Sequence, residues 1–179
     1  MTVKSVVNEL IERMKKSKII TLIDYGSYCP ELSCNGGKYY YETEFLKDDE
    51  YYIACYYTSA DFSFCPKLGE FQDCFNCMFY DYENNECIKE DETVNFEEIL
   101  NILINFLNSG DNFDLYLNER IAIESEGHEC GYCSLCDYEY GNSIEYIDNN
   151  KNRVKIDRDK MISELRKYLK SGTYSPIFK

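Results

Sequence analysis

A single histidine, His128, stands in a chain of 179 residues. That scarcity argues against most catalytic zinc sites, and a Ser-His-Asp arrangement is open only if His128 serves it. Neither His-Glu-x2-His nor a His-x-Glu followed by Pro-Cys-x2-Cys occurs, so the common signatures of hydrolytic and deaminating metal centres are missing. No glycine-rich phosphate loop is present either, because Gly36-Gly37 is not followed by Lys-Ser or Lys-Thr. No stretch approaches the roughly 18 apolar residues that suggest a membrane-spanning helix. Residues 1–16 are charged and amphipathic rather than a signal-peptide core, so the expected location is cytoplasmic and reducing. Positive charge is scarce as well: 19 basic side chains face 33 acidic ones, for a formal net charge of -14. Such a balance repels nucleic acid and anionic membranes, and favours basic partners or bound cations.

What the chain holds in quantity is cysteine, at ten residues, and tyrosine, at 18. In a reducing compartment metal ligation or free thiols are expected before a disulfide framework. His128, Cys130, Cys133 and Cys136 gather four soft ligands on one short Gly-containing loop, a candidate zinc knuckle. Cys65, Cys74, Cys77 and Cys87, spaced Cys-x8-Cys-x2-Cys-x9-Cys, form a second candidate set, and Cys74 with Cys77 could alternatively join Cys29 and Cys34. The expected cofactor is therefore zinc, as one or two ions. Cys130-x2-Cys133-x2-Cys136 also matches the first three ligands of a bacterial ferredoxin run, with the fourth Cys-Pro absent unless Cys29-Pro30 or Cys65-Pro66 supplies it. An iron–sulfur redox protein is thus an alternative reading. The plainer reading makes several cysteines small buried hydrophobes, Cys55 above all.

The pattern along the chain predicts an α+β fold of antiparallel hairpins, three amphipathic helices and Cys-rich metal-binding loops. Val3, Val6, Val7, Leu10, Ile11 and Met14 recur at helical spacing, with Glu9, Glu12, Arg13 and Lys15 on the wet side. Ile19 to Asp24 reads as a strand. Lys38 to Leu46 and Tyr51 to Thr58 read as a hairpin whose alternation sets Tyr39, Tyr41, Thr43 and Phe45 against Tyr40, Glu42 and Glu44. Residues 59–92 are aromatic and cysteine-bearing but show little periodicity. Asn95 with Glu98 forms a capping box for a helix carrying Ile99, Leu100, Ile102, Leu103, Phe106 and Leu107, apolar on more than one face. Phe113 to Glu124 reads as one strand. Ser143 to Asp148 and Arg153 to Ile156 form a second hairpin, and Asp157 caps a last helix through Met161, Ile162, Leu165, Tyr168 and Leu169. Residues 3–58 and 96–157 share the order helix, strand, cysteine loop, hairpin, which suggests two similar halves. The expected division is an N-terminal lobe over 1–92, with the Cys-rich insertion at 59–92, and a C-terminal lobe over 93–179 packed tightly against it or merged with it.

Charge is unevenly placed. Residues 93–150 hold twelve acidic side chains and one basic, whereas residues 151–179 hold three acidic and nine basic. Carboxylates and tyrosines on a rigid scaffold can occupy a groove built for phosphate, the rings adding contact area at low entropic cost. The candidate partner-binding residues are Asp81, Tyr82, Glu83, Glu86, Glu124, Glu126, Glu129, Tyr132, Asp137, Tyr138, Glu139 and Tyr140. The expected function is an acidic, zinc-stabilised module that blocks or modulates a basic partner such as a nucleic-acid-binding enzyme. A small zinc or cysteine-dependent enzyme is the other class, although nothing singles out one thiol. The basic tail residues are interspersed with Asp157, Asp159 and Glu164 and lack aromatic stacking partners, so direct nucleic-acid binding is not expected.

Overall fold

The computed structural model describes residues 1–26, 40–59, 63–65, 70–72, 77–84, 86–89, 93–109, 112–125 and 143–171. The fold begins with helix α1 (Val3–Lys16), entered through a reciprocal cap in which Thr2 and Ser5 satisfy each other's backbone N–H. Its apolar stripe Val6, Val7, Leu10, Ile11 and Met14 is fully buried. Ser17 ends the helix by donating its N–H to Met14 O and its hydroxyl to Arg13 O. Strand β1 (Ile19–Gly26) follows directly.

Strands β2 (Tyr40–Lys47) and β3 (Tyr51–Ser59) form the first hairpin. Thr43 and Phe45 lie on its buried side, as the alternation predicts. In the stretch after it, the described residues form two small antiparallel pairs, β4 (Ser63–Cys65) with β5 (Glu70–Gln72) and β6 (Tyr80–Asp81) with β7 (Glu86–Cys87). Strand β8 (Thr93–Val94) then pairs with the start of β3.

Helix α2 (Phe96–Ser109) is entered by the expected capping box: Glu98 N donates to Asn95 Oδ1 (3.0 Å), and Asn95 N to Glu98 Oε2 (2.6 Å). The chain continues through β9 (Asn112–Leu117), β10 (Arg120–Ser125), β11 (Ser143–Ile147) and β12 (Arg153–Asp157). It then enters α3 (Arg158–Lys170), where Asp157 caps the first turn by accepting from Lys160 N at 2.9 Å.

The single strand expected over Phe113 to Glu124 is in fact a hairpin. Asn118 and Glu119 take φ of 49° and 65°, the paired positive values of a two-residue type I′ turn. Glycine normally marks the second of these positions, and glutamate there conceals the reversal from a reader of the sequence.

Among the described residues eight strands form one antiparallel sheet, ordered β12-β11-β10-β9-β1-β2-β3-β8. β1 follows α1 and β9 follows α2, and these two strands pair with each other at the middle of the sheet. Outward from that seam the strands run in chain order on both sides. The two halves thus share their strand order but not their connections: residues 27–39, 48–50 and 60–92 join the strands of the first, and residues 118–119, 126–142 and 148–152 those of the second.

All three helices cover the same face. Tyr51 reaches α1 through its hydroxyl, which donates to Met14 O (3.1 Å), and its ring meets Phe96 of α2. Phe106 of α2 stands edge-on to Phe113 at 5.7 Å. Arg158 of α3 donates to Ser125 Oγ and to Leu107 O, meeting a carbonyl at the end of α2. Helix α3 lies against both α1 and α2. One continuous core joins Leu10, Ile20, Phe45, Leu103, Phe113, Ile123, Tyr146 and Leu165. No described helix is long and apolar enough to cross a membrane.

Candidate functional site

An antiparallel pairing puts directly opposed residues on the same face, so the register fixes the composition of the face that no described helix covers. One row runs across six strands: Lys155 faces Glu145, Glu145 faces Glu124, Glu124 faces Asp114, Asp114 faces Ile23, and Ile23 faces Glu42. Four of these six side chains are carboxylates. At a strand spacing of about 4.8 Å, Glu145 to Glu42 covers roughly 19 Å. A second row beside it sets Ile121 against Tyr116, Tyr116 against Thr21, and Thr21 against Glu44. Acidic groups therefore stand beside apolar and aromatic ones, most of them half-buried by their neighbours.

Like charges abreast on a sheet repel, so such a row needs local compensation. At one end Arg153 supplies it, with Nη1 between the Glu124 carboxylate and Glu145 Oε2 (2.6 Å). Those two hydrogen-bonded carboxylates, Glu124 first, raise the already high guanidinium pKa further. At the other end Glu44 has the opposite problem: burial first, then the charges of Glu42 and Glu119, hold its carboxyl above the usual range. Added negative charge beside Glu44 is therefore unfavourable, and a cation there would be favoured.

The small hairpin β6–β7 displays a second group. Tyr82 is 64% exposed and packs edge-on to Tyr80, with centroids 5.0 Å apart. Glu83 and Glu86 point to solvent. Asp81 is engaged inside the turn, where it accepts from Asn84 Nδ2 (2.8 Å), Glu83 N (2.8 Å) and Asn84 N (3.3 Å). These bonds, that from the Asn84 side chain foremost, hold its pKa below the usual carboxylate value. Asp81 therefore belongs to the scaffold of the hairpin, and Tyr82, Glu83 and Glu86 to its surface.

Of the expected partner-binding residues, Glu124 lies on the open sheet face, while Glu126, Glu129, Tyr132, Asp137, Tyr138, Glu139 and Tyr140 lie outside the described residues. So do His128, Cys130, Cys133, Cys136 and Cys74 of the expected metal sets. Cys65 falls in β4, where only the backbone is described. Cys77 and Cys87 are half-buried free thiols. The turn from Cys77 O to Tyr80 N (3.1 Å) and the pairing of Tyr80 with Cys87 place their backbones at the same end of the hairpin. Among the described residues no three His, Cys, Asp or Glu side chains gather as a ligand set.

Glu42, Glu44 and Asp114 were not among the candidates picked out by sequence. The available signal was the alternation of charge with apolar residues in Tyr41-Glu42-Thr43-Glu44-Phe45 and Phe113-Asp114-Leu115. Each strand alone reads as an ordinary solvated edge, and only the pairing of β1 with β9 aligns them. No family model, curated protein or solved structure matches the chain.

Proposed function

We propose that this mixed α+β domain is an acidic interaction module, which docks a basic protein surface on its open sheet face and thereby blocks or modulates it. The observation that carries this reading is the in-register row Glu145, Glu124, Asp114 and Glu42, set beside Tyr116, Ile121 and Ile23 on the face left open by the described helices. A fixed line of carboxylates with rings alongside offers the charge of a phosphate strand and the contact area of an interface core. Such chemistry suits the groove of a nucleic-acid-binding enzyme, whose lysines and arginines would otherwise meet phosphates.

In this reading the cysteine segments hold zinc and act as scaffold. Two features support it. Segments 27–39, 60–92 and 126–142 leave the sheet at Gly26, Ser59 and Ser125, all at the end opposite the β2–β3, β9–β10 and β11–β12 turns. A Cys-x2-Cys at 74 and 77, followed by a short hairpin that returns with Cys87, is also a common way to close a zinc site.

The test of docking is titration of the chain with a lysine- and arginine-rich peptide, followed by amide NMR and calorimetry at two salt concentrations. Expected are saturable shifts along β9, β10, β1 and β2, an affinity that falls steeply with salt, and displacement of the peptide by duplex DNA acting as competitor for it. Binding that ignores salt, or shifts confined to other surfaces, would overturn the reading. Metal and acid-labile sulfide analysis of protein purified without a chelating tag tests the scaffold. One or two zinc equivalents support it, iron with sulfide moves the assignment to redox chemistry, and metal-free folded protein returns the cysteines to packing or thiol reactivity.

A further inference from the structure

At the turn end of the sheet, the chain of net charge -14 builds a hollow of about 410 Å³ whose lining, among the described residues, includes three cationic side chains and no carboxylate. Arg13 and Lys16 come from the last turn of α1, and Arg120 from the start of β10. We propose that this hollow binds a small phosphorylated anion, with Arg13, Lys16 and Arg120 around the phosphate. The inference rests on residues separate from the acidic face and calls for a ligand of opposite charge.

Basic residues at a helix C-terminus ordinarily answer the carbonyl end of the macrodipole, and that alone would account for Lys16. It does not account for Arg120, which arrives from a different element and adds a third positive charge. Among the described residues neither Lys16 nor Arg120 has a side-chain hydrogen bond or ion pair.

Arg13 is held in place differently. Its Nη1 donates to Tyr146 Oη and to Ile147 O, both at 2.8 Å, and its guanidinium lies 5.5 Å from the centre of the Tyr146 ring. Among the described residues its Nε and Nη2 make no hydrogen bond, and that edge suits two oxygens of one phosphate. Asn118 contributes in the same sense. Its Oδ1 accepts from Lys18 N (2.8 Å) and Ile19 N (3.2 Å), which leaves its NH2 group as a donor on the wall.

Two carboxylates beside Arg13 are engaged elsewhere. Asp148, close enough to feel Arg13, accepts from the Asn152 side chain and from the Asn150 and Asn152 backbone, and Glu9 accepts a hydrogen bond from the Tyr146 hydroxyl. Three cations lining one hollow, Arg13 among them fixed by its neighbours, favour an anion, and the volume falls within the range of small-molecule sites.

The experiment is an amide NMR titration of the full chain with inorganic phosphate, then with adenosine 5′-monophosphate and with uncharged adenosine, at constant ionic strength. Expected are saturable shifts at Ser17, Asn118, Arg120 and Asn149 with both phosphates and none with adenosine. Tighter binding of the monophosphate than of inorganic phosphate would assign the ligand to phosphorylated organic molecules, and the reverse order to free phosphate. In Lys16→Glu/Arg120→Glu, both exposed positions, the affinity should fall about tenfold or more while the spectrum of the core stays that of the parent. Shifts that fail to saturate, that spread over the surface lysines, or that persist in the double variant would overturn the proposal. Preference for a DNA oligonucleotide over the monophosphate would also overturn it, by assigning the patch to nucleic acid.

Discussion

The two faces of this sheet use the same strands in opposite ways. Residues of one parity, such as Ile20, Phe45, Phe113, Leu115 and Tyr146, are sealed beneath three helices. Residues of the other parity, one position along, carry Glu42, Glu44, Asp114, Glu124 and Glu145 toward the open side. A one-residue slip in any strand would exchange the two sets, placing carboxylates under helices. The core therefore holds the acidic row in register, and the stability of one face maintains the geometry of the other.

The largest effect expected is on the covered face. Phe113→Ala removes a fully buried ring that meets Phe106 edge-on, and should cost about 3–5 kcal/mol in urea unfolding. If the loss were under 1 kcal/mol, Phe113 would not be part of a packed core. A smaller, sharper probe is Tyr146→Phe, which keeps the ring and removes only the hydroxyl. That hydroxyl donates to Glu9 Oε1 (2.8 Å) and accepts from Arg13, and burial foremost pushes its pKa up to about 12. Its loss leaves Glu9 without its donor in a partly buried site, at about 1–2 kcal/mol. A Tyr146→Phe variant as stable as the parent would show the polar trio to be incidental.

That trio also marks how far the sequence could be read. The helix caps at Asn95 and Asp157 were legible, because a capping residue and the groups it bonds lie within one turn of chain. The two outer hairpins were legible because alternation and a short polar turn are equally local. Helical periodicity places Glu9 and Arg13 on the wet side, and periodicity cannot show that Tyr146, more than 130 residues away, sits above them. The β9–β10 turn was hidden because Asn118-Glu119 adopts a conformation that Asn-Gly would have advertised. The carboxylate row was hidden for a larger reason: it is assembled by the pairing of β1 with β9, a contact between halves that no single stretch encodes.

On the open face, charge reversal should separate stability from function. Glu124→Lys loses a partner of Arg153 and places a lysine between Glu145 and Asp114, so the net change in stability should stay below about 1 kcal/mol. Affinity for the basic peptide should nonetheless fall markedly at low salt, with the gap to the parent closing as salt is raised. Equal peptide affinity at low salt would separate the row from docking.

The smallest effect has the opposite sign. Glu44 sits partly buried beside Glu42 and within reach of Glu119, and its carboxyl is held above its ordinary 4.5. A raised acid pKa means that the folded state binds the proton more tightly than the unfolded chain, so this group's contribution to stability falls as pH rises through the folded value. Glu44→Gln should therefore stabilise the protein at pH 7, by about 0.5 kcal/mol or less once solvent screening is allowed for. The advantage should shrink on acidification and vanish below the unfolded value, where the parent carboxyl is protonated in both states. Urea midpoints of parent and variant measured from pH 7 down to pH 4 decide the matter, and a difference independent of pH would show that charge at Glu44 is not its origin. A docked cation would relieve the same repulsion, so peptide binding in the acidic range where the parent carboxyl titrates should release protons from the parent and fewer from Glu44→Gln. Proton release of equal size in both would place the peptide away from β2.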